Sequence, residues 1–120
     1  MDFLQLAGKT VLVIGVANRK SVAFHIGRLL CEVGATVVYV VRNAARQASV
    51  SKIVDGADVL VCDVEDEAQI AQLRVQVGER HPVLHGLVHS IAFADYADGM
   101  QPFHKTSKRA FLRSVDVSCF

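Results

Sequence analysis

One hundred and twenty residues, 52% hydrophobic and 21% charged, make a chain able to bury roughly 65% of the surface its unfolded form exposes, which excludes disorder. Thirteen Lys and Arg against twelve Asp and Glu leave a formal net charge of +1, so there is no overall basic field to hold nucleic acid or an anionic membrane. No apolar run approaches the roughly eighteen residues needed to cross a bilayer. The start Met1-Asp2-Phe3-Leu4 lacks the basic and long apolar regions of a secretory signal, so the cytoplasm is the expected compartment.

Thr10-Val11-Leu12-Val13-Ile14, closed by Gly15, is a short continuous apolar run of the kind found in strands covered on both faces. From Ser21 the period changes to that of a helix, with Val22, Ile26, Leu29 and Val33 as its inward stripe and Gly34 as its stop. Thr36 to Val41 is a second buried strand, Asn43 to Val54 a weaker helix, and Asp58 to Cys62 a third strand. Acids from Asp63 to Glu67 suit the positive end of the next helix, whose stripe is Ile70, Leu73 and Val77 and which Gly78 and Pro82 end. Gly86 to Ile91 is a fourth strand. Thr106 to Phe120 is an amphipathic helix whose other side carries Lys105, Lys108, Arg109 and Arg113, a solvated face or a surface for an acidic carrier protein.

This alternation implies an α/β Rossmann-type doubly wound parallel sheet, ordered 3-2-1-4. The chain stops at Ser118-Cys119-Phe120 inside an apolar-periodic stretch, with no cap, Gly or charged tail, and is read as truncated. The fold is expected to be one dinucleotide-binding part, 1–120, of a single Rossmann-type domain whose catalytic half is absent.

In such sheets a ligand sits beyond the carboxyl ends of the strands, so the loops after Ile14, Val41, Cys62 and Ser90 are expected to share a crevice. The run Gly15-Val16-Ala17-Asn18-Arg19-Lys20-Ser21 joins a strand to a helix N-terminus, where unpaired N–H groups and the helix dipole attract phosphate. It lacks the G-x-G-x-x-G spacing, and an ordinary strand-to-helix turn is the alternative. Gly15 permits the tight turn; Ser21 is placed to cap the helix and offer its hydroxyl to a phosphate. Arg42 stands where an acid would bind the adenosine 2′-hydroxyl of NADH and an Arg would suit the 2′-phosphate of NADPH. On charge, NADPH or dual use is favoured over strict NADH, with a solvated surface Arg as the other reading. Asp63 is placed to accept from the adenine amino group, to cap its helix, or both. His81, His85 and His89 recur every four residues, but Pro82 and Gly86 break any helix that would align them, so no metal site is expected. Cys31, Cys62 and Cys119, with no C-x-x-C spacing, read as small apolar side chains.

Four segments at consistent spacing carry a resemblance: Gly15 to Ala23, Cys62-Asp63-Val64, His89-Ser90-Ile91-Ala92-Phe93-Ala94, and Asp116 to Phe120. Over Leu6 to Phe120 the chain resembles the N-terminal half of bacterial enoyl-acyl-carrier-protein reductase, a divergent short-chain dehydrogenase/reductase of type II fatty acid synthesis. The resemblance implies NADH or NADPH as cofactor, an enoyl thioester on acyl carrier protein as substrate, and a homotetramer when full length. It implies that Gly15, Ala17, Ser21 and Val22 contact the cofactor phosphates and ribose, Arg42 the adenosine ribose, and Asp63 and Val64 the adenine. Ser90 and Ile91 would border the nicotinamide, and Ala94 the acyl substrate. The family's reaction moves hydride to C3 of the trans-2 double bond, with a tyrosine stabilising the enolate and a lysine in a Tyr-x6-Lys pair holding the nicotinamide ribose.

The sequence departs there. Its two tyrosines are Tyr39 and Tyr96, and the residues seven positions on are Arg46 and Phe103. No catalytic residue is therefore assigned, and the 120 residues alone are expected to be inactive. A noncatalytic dinucleotide-binding or sensing module is the alternative, at the cost of an apolar fourth-strand edge left exposed.

Overall fold

The computed structural model describes residues 3–120. Within the first of two compact units, Met1–Ser90, the elements are β1 (Thr10–Ile14), α1 (Val22–Glu32), β2 (Thr36–Val41), α2 (Ala44–Ser51), β3 (Asp58–Val61), α3 (Glu67–Arg80) and β4 (Gly86–His89). All three strand pairings are parallel, in the order β3-β2-β1-β4, with Leu12 opposite both Val38 and Leu87 and Val40 opposite Leu60. This is the doubly wound arrangement and strand order expected from the alternation of elements.

Two apolar layers hold it together, because successive strand residues point to opposite faces. Val11, Val13, Val37, Tyr39, Val41 and Val59 pack with Ala23 and Phe24 of α1 and with Val50 and Val54. Leu12, Val38, Val40, Leu60 and Cys62 pack with Leu73 and Val77 of α3, joined by Ile70. The central strand β2 is therefore buried on both sides from Val37 to Val41, which is why its sequence is apolar without alternation. Leu87 on the outer strand β4 stays 59% exposed.

The helix stripes were only partly as expected. In α3 Leu73 and Val77 are buried as predicted. Of the predicted α1 stripe, Ile26 is half-buried but Val22, Leu29 and Val33 are exposed, and Ala23, Phe24 and Gly27 face the sheet instead. The reason is the Tyr39 ring. A Cβ on Gly27 would meet its hydroxyl and lie 2.5 Å from Cε1 and 2.7 Å from Cζ, so only the face carrying Ala23 and Gly27 lets the helix settle on β2. Gly78 lies inside α3 rather than ending it, since Arg80 and His81 at the helix end both reach Asp58, at 3.4 and 3.0 Å.

The second unit, Ile91–Phe120, holds a 3-10 turn, Phe103–Lys105, and α4, Lys108–Cys119. Residues 93–95 run along α4: Ser118 Oγ accepts from the Phe93 amide at 3.0 Å and Ser114 Oγ from the Asp95 amide at 3.1 Å. Lys105, Lys108 and Arg109 are exposed, as expected of a solvated basic face, and Arg113 is half-buried. Arg109 and Arg113 turn onto Asp95, at 3.1 and 3.4 Å, and Arg109 also onto Asp98 at 2.9 Å. The large apolar side chains of Phe111, Leu112 and Val115 are exposed as well. The Asp95 side chain is only 2% exposed, and the Ala97 amide with the two guanidinium groups holds its carboxyl below the usual range.

Gly27→Ala should destabilise the protein by about 1–3 kcal/mol through overpacking against Tyr39. In a Tyr39→Leu background the same change should become neutral or stabilising, because the helix-propensity gain of about 1 kcal/mol then stands unopposed. Urea unfolding of the four proteins of this cycle measures both outcomes.

Candidate functional site

The loops after β1, β2 and β3 leave the carboxyl ends of the parallel strands in the first unit, and they carry Gly15, Ala17, Ser21, Arg42, Asp63 and Val64 of the predicted site, with Val22 opening α1. The β1–α1 bend begins at Gly15, whose φ of 111° is a left-handed conformation that favours glycine. The Gly15 amide donates to the Val40 carbonyl at 3.3 Å, and Val16, 3% exposed, anchors the bend in the core. Ser21 is the N-cap of α1 by position, but it makes no side-chain cap bond. Its Oγ turns back and accepts from the amides of Ala17 at 2.9 Å and Asn18 at 3.0 Å. The expected capping role is corrected accordingly: Ser21 shapes the bend rather than the helix end.

This arrangement determines which donors remain. The Ser21 carbonyl accepts from the amides of Phe24 and His25, so by helix geometry Val22 and Ala23 carry first-turn N–H groups with no intrahelical acceptor. The Ser21 oxygen accepts twice, which leaves its hydroxyl hydrogen as a donor. Two amides and one hydroxyl thus remain as donors at the positive end of the α1 dipole, a set suited to a phosphate group. Val22, at 67% exposure, stands beside them. Arg46, which the sequence did not bring to notice, reaches from α2 to the Ala17 carbonyl at 3.2 Å. Nothing in a separation of 29 residues signals that contact.

After β2 and β3 the structure pairs two residues that had been assigned separately. Arg42 Nε lies 3.2 Å from Asp63 Oδ2, and Arg42 Nη2 lies 3.1 Å from Glu65 Oε2. Asp63 does not cap α3; the cap is Asp66, whose side chain accepts from the amides of Ala68 and Gln69. Gln69 returns a bond from Nε2 to Asp66 Oδ2 at 3.1 Å and accepts from the Asp63 amide at 2.9 Å, which braces the β3–α3 loop. Asp63 Oδ1 in turn accepts from the Glu65 amide at 3.1 Å. Val64 sits half-buried between them. Glu65 was missed because an acid at a helix start reads as a partner for the dipole.

Ser90, after β4, donates from its amide to the Ile14 carbonyl at 2.9 Å. Ile91 and Ala94 belong to the second unit. There Ala94 lines a cavity of about 210 Å³ with Asp95, Tyr96, Ser107 and Ser114. A larger cavity of about 570 Å³ lies in the first unit between Tyr39, Cys31, Asp55 and Asp58, mostly at the amino ends of β2 and β3, away from where such sheets bind ligands. Burial pushes the Tyr39 phenol up to about 12, with Cys31 adding to the shift, so it stays protonated within its strand.

The three histidines are separated. His81 ends α3 against Asp58, His85 Nδ1 accepts from the Thr10 amide at 3.0 Å, and His89 ends β4. Among the described residues no group of three or more His, Cys, Asp or Glu side chains is placed to hold a metal ion, and no helix is long and apolar enough to cross a membrane.

A parallel 3-2-1-4 sheet with helices on both faces and a Gly-led bend after its first strand defines a Rossmann-type α/β protein of the short-chain dehydrogenase/reductase kind. Residues 15–120 match the family described as Enoyl-(Acyl carrier protein) reductase, and the chain belongs to that family. It is similar to the enoyl-[acyl-carrier-protein] reductase [NADH] FabI of Bacillus subtilis (strain 168), 31% identical over 125 residues covering 100% of this chain and 48% of the relative. It is also similar to the [NADPH] FabI of Staphylococcus aureus (strain NCTC 8325 / PS 47), 30% identical over 98% of this chain and 48% of the relative. The chain spans about half the length of these curated relatives. Among solved structures, the Anaplasma phagocytophilum reductase in complex with NAD superposes with a TM-score of 0.87 at 29% identity, covering 95% of this chain and 45% of that one. The Bacillus cereus reductase with NADP+ and indole naphthyridinone superposes with a TM-score of 0.87 at 31% identity, covering 93% and 46%.

Bonds from the Gln69 side chain and from the amides of Gln69 and Ala68 hold the Asp66 carboxyl below its ordinary pKa. A depressed carboxyl stabilises the fold above the unfolded-state pKa, and that stabilisation is lost as pH falls through the lower folded-state value. Asp66→Ala should therefore lower the Tm at pH 7, and the gap to the unaltered protein should narrow below about pH 4, as thermal melts across pH 2.5 to 7 will show (roughly the span on either side of that value).

Proposed function

We propose that this chain is the cofactor-holding half of an NADH- or NADPH-dependent enzyme that reduces the trans-2 double bond of an enoyl thioester carried on acyl carrier protein in fatty acid biosynthesis. The observation that carries the reading is the Ser21 hydroxyl, which accepts from the Ala17 and Asn18 amides and is left to donate beside the first-turn amides of α1. In this reading those donors grip the cofactor pyrophosphate, with Gly15 giving the turn and Ala17 and Val22 lying against the phosphates and ribose. Arg42 stands at the adenosine ribose, Asp63 and Val64 at the adenine, Ser90 and Ile91 at the nicotinamide side, and Ala94 at the acyl substrate.

When bound, the reduced nicotinamide supplies hydride to C3 of the substrate. This chain's residues bind and orient; no Tyr-x6-Lys pair occurs among them. Tyr39 is locked in β2 with a raised pKa, so it is no substitute acid. The 120 residues by themselves are accordingly expected to oxidise neither cofactor in the presence of an enoyl thioester. The protein that carries them is read as a cytoplasmic homotetramer, and residues 1–120 as one part of its dinucleotide-binding domain. The names of the relatives, which are enoyl-[acyl-carrier-protein] reductases with either cofactor, support the substrate and cofactor classes.

Ser21→Ala removes the donor and loosens the bend while leaving α1 without any lost side-chain cap. Dissociation constants for NADH and NADPH should both rise by roughly tenfold, the loss of one hydrogen bond to a charged group, with helix content by circular dichroism unchanged. Unaltered affinity in this variant would remove the pyrophosphate from the bend.

A further inference from the structure

We infer that Glu65 is a specificity-determining residue, which tilts the adenosine end of the site toward NADH by holding the Arg42 guanidinium that a 2′-phosphate would need. The inference rests on the dinucleotide reading given above and deepens it. Its ground is one piece of geometry: two edges of Arg42 are already engaged, Nε by Asp63 at 3.2 Å and Nη2 by Glu65 at 3.1 Å.

Glu65 is held in that position. The Asp63 carboxylate uses one oxygen for Arg42 and the other for the Glu65 amide at 3.1 Å, so the same acid orients both partners. The Asp63 amide is tied to Gln69 Oε1 at 2.9 Å, and Gln69 is tied to the α3 cap Asp66. The Glu65 side chain thus reaches Arg42 from a loop braced at its far end, and its 26% exposure is about half the 55% of Arg42.

Charge points the same way: both carboxylates face the guanidinium, and a phosphate monoester would bring roughly −1.5 to −2 of further negative charge beside them. A 2′-phosphate must displace Glu65 from Nη2 and then sit beside it, whereas a 2′-hydroxyl finds carboxylate acceptors already in place. In many dinucleotide sites the acid follows the second strand. Here β2 is followed by Arg42, and the acids come across from the end of β3. Arg42 alone would favour NADPH; Glu65 reverses that preference.

The test measures binding, not turnover. By isothermal titration at low salt, the unaltered protein should bind NADH at least about threefold more tightly than NADPH, and ADP-ribose more tightly than 2′-phospho-ADP-ribose in the same proportion. Glu65→Gln should improve NADPH affinity relative to NADH by roughly fivefold to tenfold, an effect that shrinks as salt is raised. Adding Arg42→Gln to that variant should cancel the gain. Equal or tighter NADPH binding by the unaltered protein overturns the inference, whether or not the variants fold. So does a ratio that Glu65→Gln leaves unmoved while both dinucleotides still bind; in those two cases the dinucleotide reading survives. Binding of neither dinucleotide by the unaltered protein removes both.

Discussion

Tyr39 lies where α1 has no side chain, and that contact decides where the helix points. Gly27 lets the ring sit against the helix backbone, so α1 docks through its smallest residues and its axis is fixed over β2. With the axis fixed, the N-terminus of α1 is delivered to the end of β1, a few residues from Gly15. Val16 pins the intervening bend in the core and Ser21 gathers two of its amides. A bulkier residue at position 27 would displace the helix and with it every donor at its start.

The two ends of the proposed cofactor site differ in electrostatic character. At the bend, fixed dipoles provide positive potential with no full charge required. At the strand ends after β2 and β3, a guanidinium is held between two carboxylates. A molecule with phosphates at its centre and a hydroxyl-rich sugar toward one end matches that gradient. The same gradient is unfavourable for one with a further phosphate on the sugar. The membership of the enoyl-(acyl carrier protein) reductase family and relatives named for either cofactor leave both cofactors in play at the family level, so the discrimination has to come from side chains such as these.

Much of the fold was legible because it depends on period and order. Unbroken β-branched runs gave β1 and β2, the β-α alternation gave the parallel 3-2-1-4 sheet, and the predicted strand starts at Thr10, Thr36, Asp58 and Gly86 are the observed ones. The α1 face was not legible, since Val22, Leu29 and Val33 outweigh Ala23 and Gly27 on any hydropathy count, and only the ring across the interface shows why the small residues go inward. The loops after the strands were legible as positions but not as partners. Arg42 and Asp63 were each singled out from the sequence, yet their pairing and the third member, Glu65, depend on how two loops 21 and 23 residues apart in the chain meet. Likewise the basic residues of α4 gave no sign that Asp95 would collect two of them, because a side chain at 2% exposure in a polar loop has no periodic signature.

If the bend from Gly15 to Ser21 and the first turn of α1 grip a pyrophosphate, amide-resolved NMR of the protein titrated with ADP-ribose will show saturable shifts concentrated at Ala17, Asn18, Ser21, Val22 and Ala23. Shifts that spare this stretch while appearing elsewhere, or no shifts at saturating ligand in a folded sample, would contradict it.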